Sequence, residues 1–158
     1  MLTVLIVLAC AIIAGLSFYA GKLLYQLREQ TLKQEQAREA RVERITESIQ
    51  TIAFAMQQQQ CDLSEGVIRL YHLLDALPVL PQPDFATHFP AVHSLYDRVC
   101  HFPTHEARNA LSKAERRQQD KEREEIESIH EADILKELDA LKVFDVTFYL
   151  NAKLTTFS

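Results

Sequence analysis

The chain has little of what interrupts a helix. It holds three Gly and five Pro in 158 residues, and Lys22 to Gln60 contains neither. Leu, Glu, Gln, Arg and Ala fill the rest, a composition that favours α-helix. There are only three cysteines, Cys10, Cys61 and Cys100. An odd number implies no disulfide framework, which agrees with a reducing compartment. No glycine-rich phosphate loop, paired-cysteine motif or HExxH zinc motif is present. The net charge is -5, which argues against nucleic acid as a partner, because non-specific nucleic-acid binding runs on Lys and Arg.

Charge is missing altogether from Met1 to Gly21, MLTVLIVLACAIIAGLSFYAG. Such a stretch spans about 31 Å as a helix, close to the ~30 Å hydrocarbon core of a bilayer. A helix satisfies its own backbone, so it can cross lipid alone. Residues 1–21 are therefore expected to form a transmembrane helix, with Tyr19 and Tyr25 in an interfacial aromatic belt. A cleaved signal peptide fits poorly, since no Lys or Arg precedes the run and the run is long. A lipoprotein-type site at Val7-Leu8-Ala9-Cys10 fits poorly too, since apolar residues continue past Cys10. Lys22, Arg28, Lys33, Arg38, Arg41 and Arg44 all come after the run. The positive-inside rule then places the N-terminus outside and the C-terminal domain in the cytoplasm. Small residues four apart, Ala11 with Gly15 and Ser17 with Gly21, allow close helix–helix approach and would form the face of a membrane dimer.

Residues 22–41 read as a polar helical spacer, a continuation of the same helix. Stepping from Leu27 by four and three gives Thr31, Gln34, Arg38 and Arg41, which is no coiled-coil seam. Glu35, Glu39, Glu43 and Glu47 make an acidic row beside Arg38, Arg41 and Arg44. A solvated helix is the simpler reading, and contact of the arginines with anionic lipid the other. If Arg28–Arg41 is helical it lifts the C-terminal domain by about 20 Å.

Apolar periodicity starts at Val42. Val42, Ile45, Ile49, Ile52 and Met56 form one stripe. Asp62 with Glu65 matches a capping box for a second helix carrying Leu63, Val67, Leu70, Leu74 and Leu77 and ended by Pro78. The two stripes suit an antiparallel hairpin through Cys61. Pro78–Pro90 is expected to be a loop. A short helix then runs from Pro90 to His101, burying Val92, Leu95, Tyr96 and Val99. A fourth helix, capped by Thr104 with Glu106 in its first turn, starts with Ala107, Ala110, Leu111 and Ala114. Glu115–Glu125 has no apolar residue, so an exposed arm is expected, supported by Arg116–Asp120 and Lys121–Glu125 pairs. Packing resumes at Ile126, Ile129, Ile134, Leu138 and Leu141. Val143–Leu150 suits either helix or a short strand.

The chemistry-bearing residues do not assemble into a motif. Cys100, His101 and His105, with His88 and His93 upstream, are ligand types that zinc accepts. Pro103, however, separates His101 from His105, and no fourth ligand stands at readable spacing. Glu127-Ser128-Ile129-His130 matches the Glu-x-x-His pattern of di-iron bundles, but has no second copy. Cys61 and Cys100 lack a partnered base and are expected to be buried, inert thiols. No cofactor and no catalytic constellation is read, so the chain is not expected to be an enzyme.

Within Thr46–Asp75, the stretch ESIQTIAFAMQQQQCDLSEGVIRLYHLLD together with the N-terminal anchor resembles a group of uncharacterised proteobacterial single-pass membrane proteins, catalogued as a domain of unknown function. The resemblance covers most of the chain. It implies a bacterial inner-membrane location and a small helical cytoplasmic domain, and it carries no catalytic residues across.

The expected fold is thus all-α: a transmembrane helix (1–21), a polar spacer (22–41) and a cytoplasmic helical domain (42–158), a small bundle with a long, partly solvated fourth helix. The expected role is a membrane-anchored interaction or scaffold module, with the lipid bilayer and a protein as partners. One alternative is a metal-binding sensor or enzyme using Cys100, His101 and His105. Another is a membrane sensor that works as a homodimer through Ala11, Gly15, Ser17 and Gly21.

Overall fold

The computed structural model describes residues 1–103 and 108–155, with the side chains of 2–12, 14 and 151–155 left out of the description. Those residues form helices and no strand. α1 is Leu2–Gln57, α2 Leu63–Asp75, α3 Phe85–His88, α4 Pro90–Val99, α5 Lys113–Leu141 and α6 Val146–Thr155. The chain divides into two compact units, Met1–Ala40 and Arg41–Ser158, and α1 contributes to both.

In the first unit, no apolar side chain that is described finds cover. Ile13, Leu16, Phe18, Tyr19, Leu23, Leu24, Tyr25 and Leu27 are all exposed. Of the expected span, residues 1–21, the side chains of 2–12 and 14 lie outside those described. Among the described residues, no helix is long and apolar enough to cross a membrane. Further along, polar contacts stay local to the helix: Thr31 Oγ1 donates to the Leu27 carbonyl at 3.0 Å, and Lys33 pairs with Glu29 at 2.7 Å.

In the second unit, α1 ends where its stripe ends. Ile45, Ile49, Ala53 and Met56 are buried, with Val42 and Ile52 partly so. The next glutamines leave the helix, and Gln59 adopts a positive φ of 56°, which a non-glycine residue tolerates only in a tight reversal. α2 then turns back along α1. Gly66 makes this approach close: a Cβ there would overlap the Met56 side chain. Val67, Leu70, Leu74 and Leu77 are buried as the stripe predicts.

The expected Asp62 capping box does not form. Asp62 stands at the N-cap of α2 but makes no side-chain cap bond. Instead the Ser64 amide donates to Glu127 Oε1 at 3.2 Å, and the Ser64 hydroxyl donates to the same oxygen. A carboxylate from α5 meets the unsatisfied amide and the positive end of the helix dipole that a local cap would have met.

The Pro78–Pro90 segment is not wholly loop. Asp84 caps one turn of helix, α3, accepting from the Thr87 amide at 3.3 Å and the Thr87 hydroxyl at 2.7 Å. That turn buries Phe85 and leads into buried Phe89. Pro90 does open α4, as its locked φ favours, but α4 stops at Val99 rather than His101. Its buried face is Val92, Leu95 and Val99, set against α2 and α5.

α5 begins later than expected. Thr104–Ala107 lie outside the described residues, and Ala110 and Leu111 precede the helix. Ser112 is the cap: its hydroxyl accepts from the Glu115 amide at 3.3 Å, and the Glu115 carboxylate accepts from the Ser112 amide at 2.8 Å. The sequence Ser112-Lys-Ala-Glu115 carries that signature. The apolar-free first half of α5 is an ordered helix. Asp120 pairs there with Arg108 at 2.7 Å and Arg123 at 3.2 Å, not with Arg116, while Lys121–Glu125 closes to 3.8 Å. The second half buries Ile134, Leu138 and Leu141, whereas Ile129 stays exposed. Spacing explains the correction: Ile129 lies five residues before Ile134, off the core-facing side.

The last described segment, α6, is helix rather than strand, with Asp145 accepting from the Thr147 amide at 2.9 Å. Phe144 and Tyr149 are buried with Phe85 and Phe89 in one aromatic cluster, and Phe148 is exposed.

Candidate functional site

Two helices set the most chemically varied surface. α2 supplies Tyr71, His72 and Asp75 from its last turns, and α4 supplies His93 and Tyr96. The Tyr71 and Tyr96 rings stack, with centroids 3.6 Å apart and planes at 5°. His93 meets the Tyr71 edge at 5.1 Å, and His72 lies 5.5 Å from both tyrosines. The stack locks the two helices in register, and His93 is held in turn, its Nδ1 lying 2.9 Å from the Phe89 carbonyl. A carbonyl only accepts, so Nδ1 carries the proton and a neutral His93 keeps Nε2 as an acceptor. Burial pushes the Tyr96 phenol above its ordinary value, reinforced by the nearby Asp97 and Asp75 carboxylates.

Beside this cluster lies a cleft of about 370 Å³, walled by Tyr71, Asp75, Pro83, Asp84, Phe85 and His93 among others. The Asp84 carboxyl is held below its ordinary value by its bonds to Thr87. A larger hollow of about 470 Å³ lies between the end of α1 and α2, walled by Ile52, Ala55, Cys61, Asp62, Glu65 and Arg69. Its charges are partly satisfied, since Glu65 pairs with Arg69. Burial, then the Glu65 charge, push the Cys61 thiol up, so it is protonated and a poor nucleophile at neutral pH.

Among the described residues, those singled out in the sequence do not converge. Cys100 and His101 are exposed neighbours after α4, and His105 lies outside the described residues. Among the described residues, no group of three His, Cys, Asp or Glu could hold a metal ion. The thiols are not buried as expected: Cys100 is exposed and Cys61 half-buried, because α4 ends its core face at Val99. Glu127 and His130 are taken up by the fold. Glu127 binds the start of α2, and His130 bridges the Ile126 carbonyl at 2.9 Å and the Ser94 hydroxyl at 3.3 Å. Ala11 lies outside the described side chains. Gly15, Ser17 and Gly21 are exposed, and nothing stands within 4 Å of a Cβ placed at either glycine.

Sequence reasoning assigned no role to Glu137 or to the Tyr71–Tyr96 stack. Tyr96 carried only a core signal, and Tyr71 is off the apolar stripe of α2.

A family model described as "Protein of unknown function (DUF2489)" matches residues 13–141. An uncharacterised protein of Haemophilus influenzae is 41% identical over 138 residues, covering 87% of this chain and 91% of the relative. No solved structure matches. With the family model spanning residues 13–141 and the relative covering 87% of the chain, the chain belongs to the DUF2489 family.

Proposed function

We propose that the protein is a membrane-tethered helical interaction module of a bacterial inner membrane, its N-terminal segment in the bilayer and its second unit in the cytoplasm. One observation carries this reading: the uncharged run Met1–Gly21, whose described apolar side chains, and those on to Leu27, have no protein cover. A helix apolar on every side needs lipid or other helices around it. The basic residues beyond it, from Lys22 to Arg44, favour a cytoplasmic location for that flank. The Haemophilus influenzae relative supports a bacterial source, and nothing more specific. Among the described residues, the second unit offers clefts and side-chain surface rather than a paired nucleophile and base, which suits recognition better than turnover. Self-association through Gly15, Ser17 and Gly21 is compatible with this role, the glycine faces being open.

The test is alkaline extraction of membranes holding the full chain or a chain lacking 1–21, with reporter fusions after Gln60 and after Ser158. The full chain is expected in the membrane pellet, the shortened one in the supernatant, and both reporters in the cytoplasm. Full extraction of the intact chain, or a periplasmic signal at either fusion, overturns the proposal.

A further inference from the structure

We infer that the cleft between the end of α2 and the α3 turn is a binding site for an alkyl ammonium group, with Asp75 as its charge partner. The inference goes beyond the membrane reading and stands without it. The cleft holds about 370 Å³, at the small end of ligand sites and suited to one side chain or a small amine. Two carboxylates, Asp75 and Asp84, line it, and no Lys or Arg does. Tyr71 and Phe85 in its wall give apolar surface for the methylenes of an alkyl chain, with the charge left to Asp75.

Two further observations separate this cleft from a merely acidic surface. Tyr71 is held by its stack on Tyr96, and His93 by the Phe89 carbonyl, so the wall is pre-formed. Asp75 is the last residue of α2, where the helix dipole disfavours a negative charge. Its carboxylate forms no ion pair among the described residues, and only its backbone carbonyl is used, by Gln82. Such breaks of a local rule gather at functional sites. Asp84, by contrast, is occupied in capping α3.

The test titrates the full chain in zwitterionic micelles, followed by backbone and aromatic NMR signals. The probes are a lysine blocked at its α-amino and carboxyl ends, the same molecule acetylated at its ε-nitrogen, and cadaverine. Saturable shifts at Tyr71, Asp75 and His93 with the charged probes are expected, with none from the acetylated one. Asp75→Asn should weaken binding about ten-fold through loss of the charge-assisted bond, while Asp75→Glu keeps most of it and helix content stays unchanged. Tighter binding of blocked lysine identifies a protein side chain as the source, and tighter binding of cadaverine a free amine. No saturable shift, equal affinity in Asp75→Asn, or equal binding of the acetylated probe overturns the inference.

Discussion

Glu137, midway along the buried half of α5, accepts the Ala91 backbone amide at 2.7 Å through Oε1. Its other oxygen takes the Val92 amide at 3.0 Å. These are free amides in the first turn of α4, which has no side-chain cap of its own. Glu127, ten residues earlier, does the same for α2 at Ser64. One helix thus supplies the N-terminal caps of two others, and its register fixes where both begin.

Removing either carboxylate should cost stability as loss of a charged cap does. Glu137→Ala is expected to lower unfolding free energy by roughly 2 kcal/mol, with Glu137→Gln losing about half of that. Glu127→Ala should cost about 1–2 kcal/mol. The two sites stand about 15 Å apart along the helix, so the double variant should be additive within about 0.5 kcal/mol. Urea denaturation of the parent and the four variants reads this. A loss under about 0.3 kcal/mol for Glu137→Ala would show that the amides are satisfied by water instead.

Gly66→Ala sets helix propensity against packing. In an open helix the change gains up to about 1 kcal/mol. Here the added methyl meets Met56, a core side chain that is 3% exposed. Overpacking of this kind costs about 1–3 kcal/mol, so a net loss is expected. The loss should shrink in a Met56→Ala background, where the methyl has space. A stabilised Gly66→Ala protein would mean that Met56 moves aside without cost.

Acid should weaken the start of α6. Bonds to the Thr147 hydroxyl and amide hold the Asp145 carboxyl below its ordinary value of 3.8. A depressed carboxyl pKa contributes stability that is fully present above the unfolded value and lost as pH falls through the folded one. The contribution of Asp145 is therefore present at neutral pH and disappears below the ordinary aspartate range. Unfolding curves for Asp145→Asn should be less acid-sensitive than those of the parent in that window. Identical acid profiles would refute the assignment.

The helix hairpin is legible because the stripes Ile45–Met56 and Val67–Leu77 repeat at helical spacing on each arm of the hairpin. The cap at Ser112 is legible in principle, as Ser-Lys-Ala-Glu, but Thr104 competes with it by preceding the first apolar residues. α3 is hidden because one turn between prolines has no periodicity. Ile129 misleads because its type suits a core, whereas its register turns it outward. The candidate cleft is illegible for a different reason. Tyr71, Asp75, Asp84 and His93 come from three separate segments, and none forms a motif with its chain neighbours.

By itself, the sequence determined the predominantly helical class, the end of the first helical stripe at Met56, the proline-led start of α4 and the uncharged N-terminal run. Each rests on local rules: backbone preference, apolar spacing within one helix, and the loss of an amide at proline. Only the tertiary structure decided which groups complete the helix ends and which rings wall the cleft. Those pairings join residues 46 and 63 positions apart. They depend on how α5 lies across α2 and α4, a relation that no pattern within a single helix encodes.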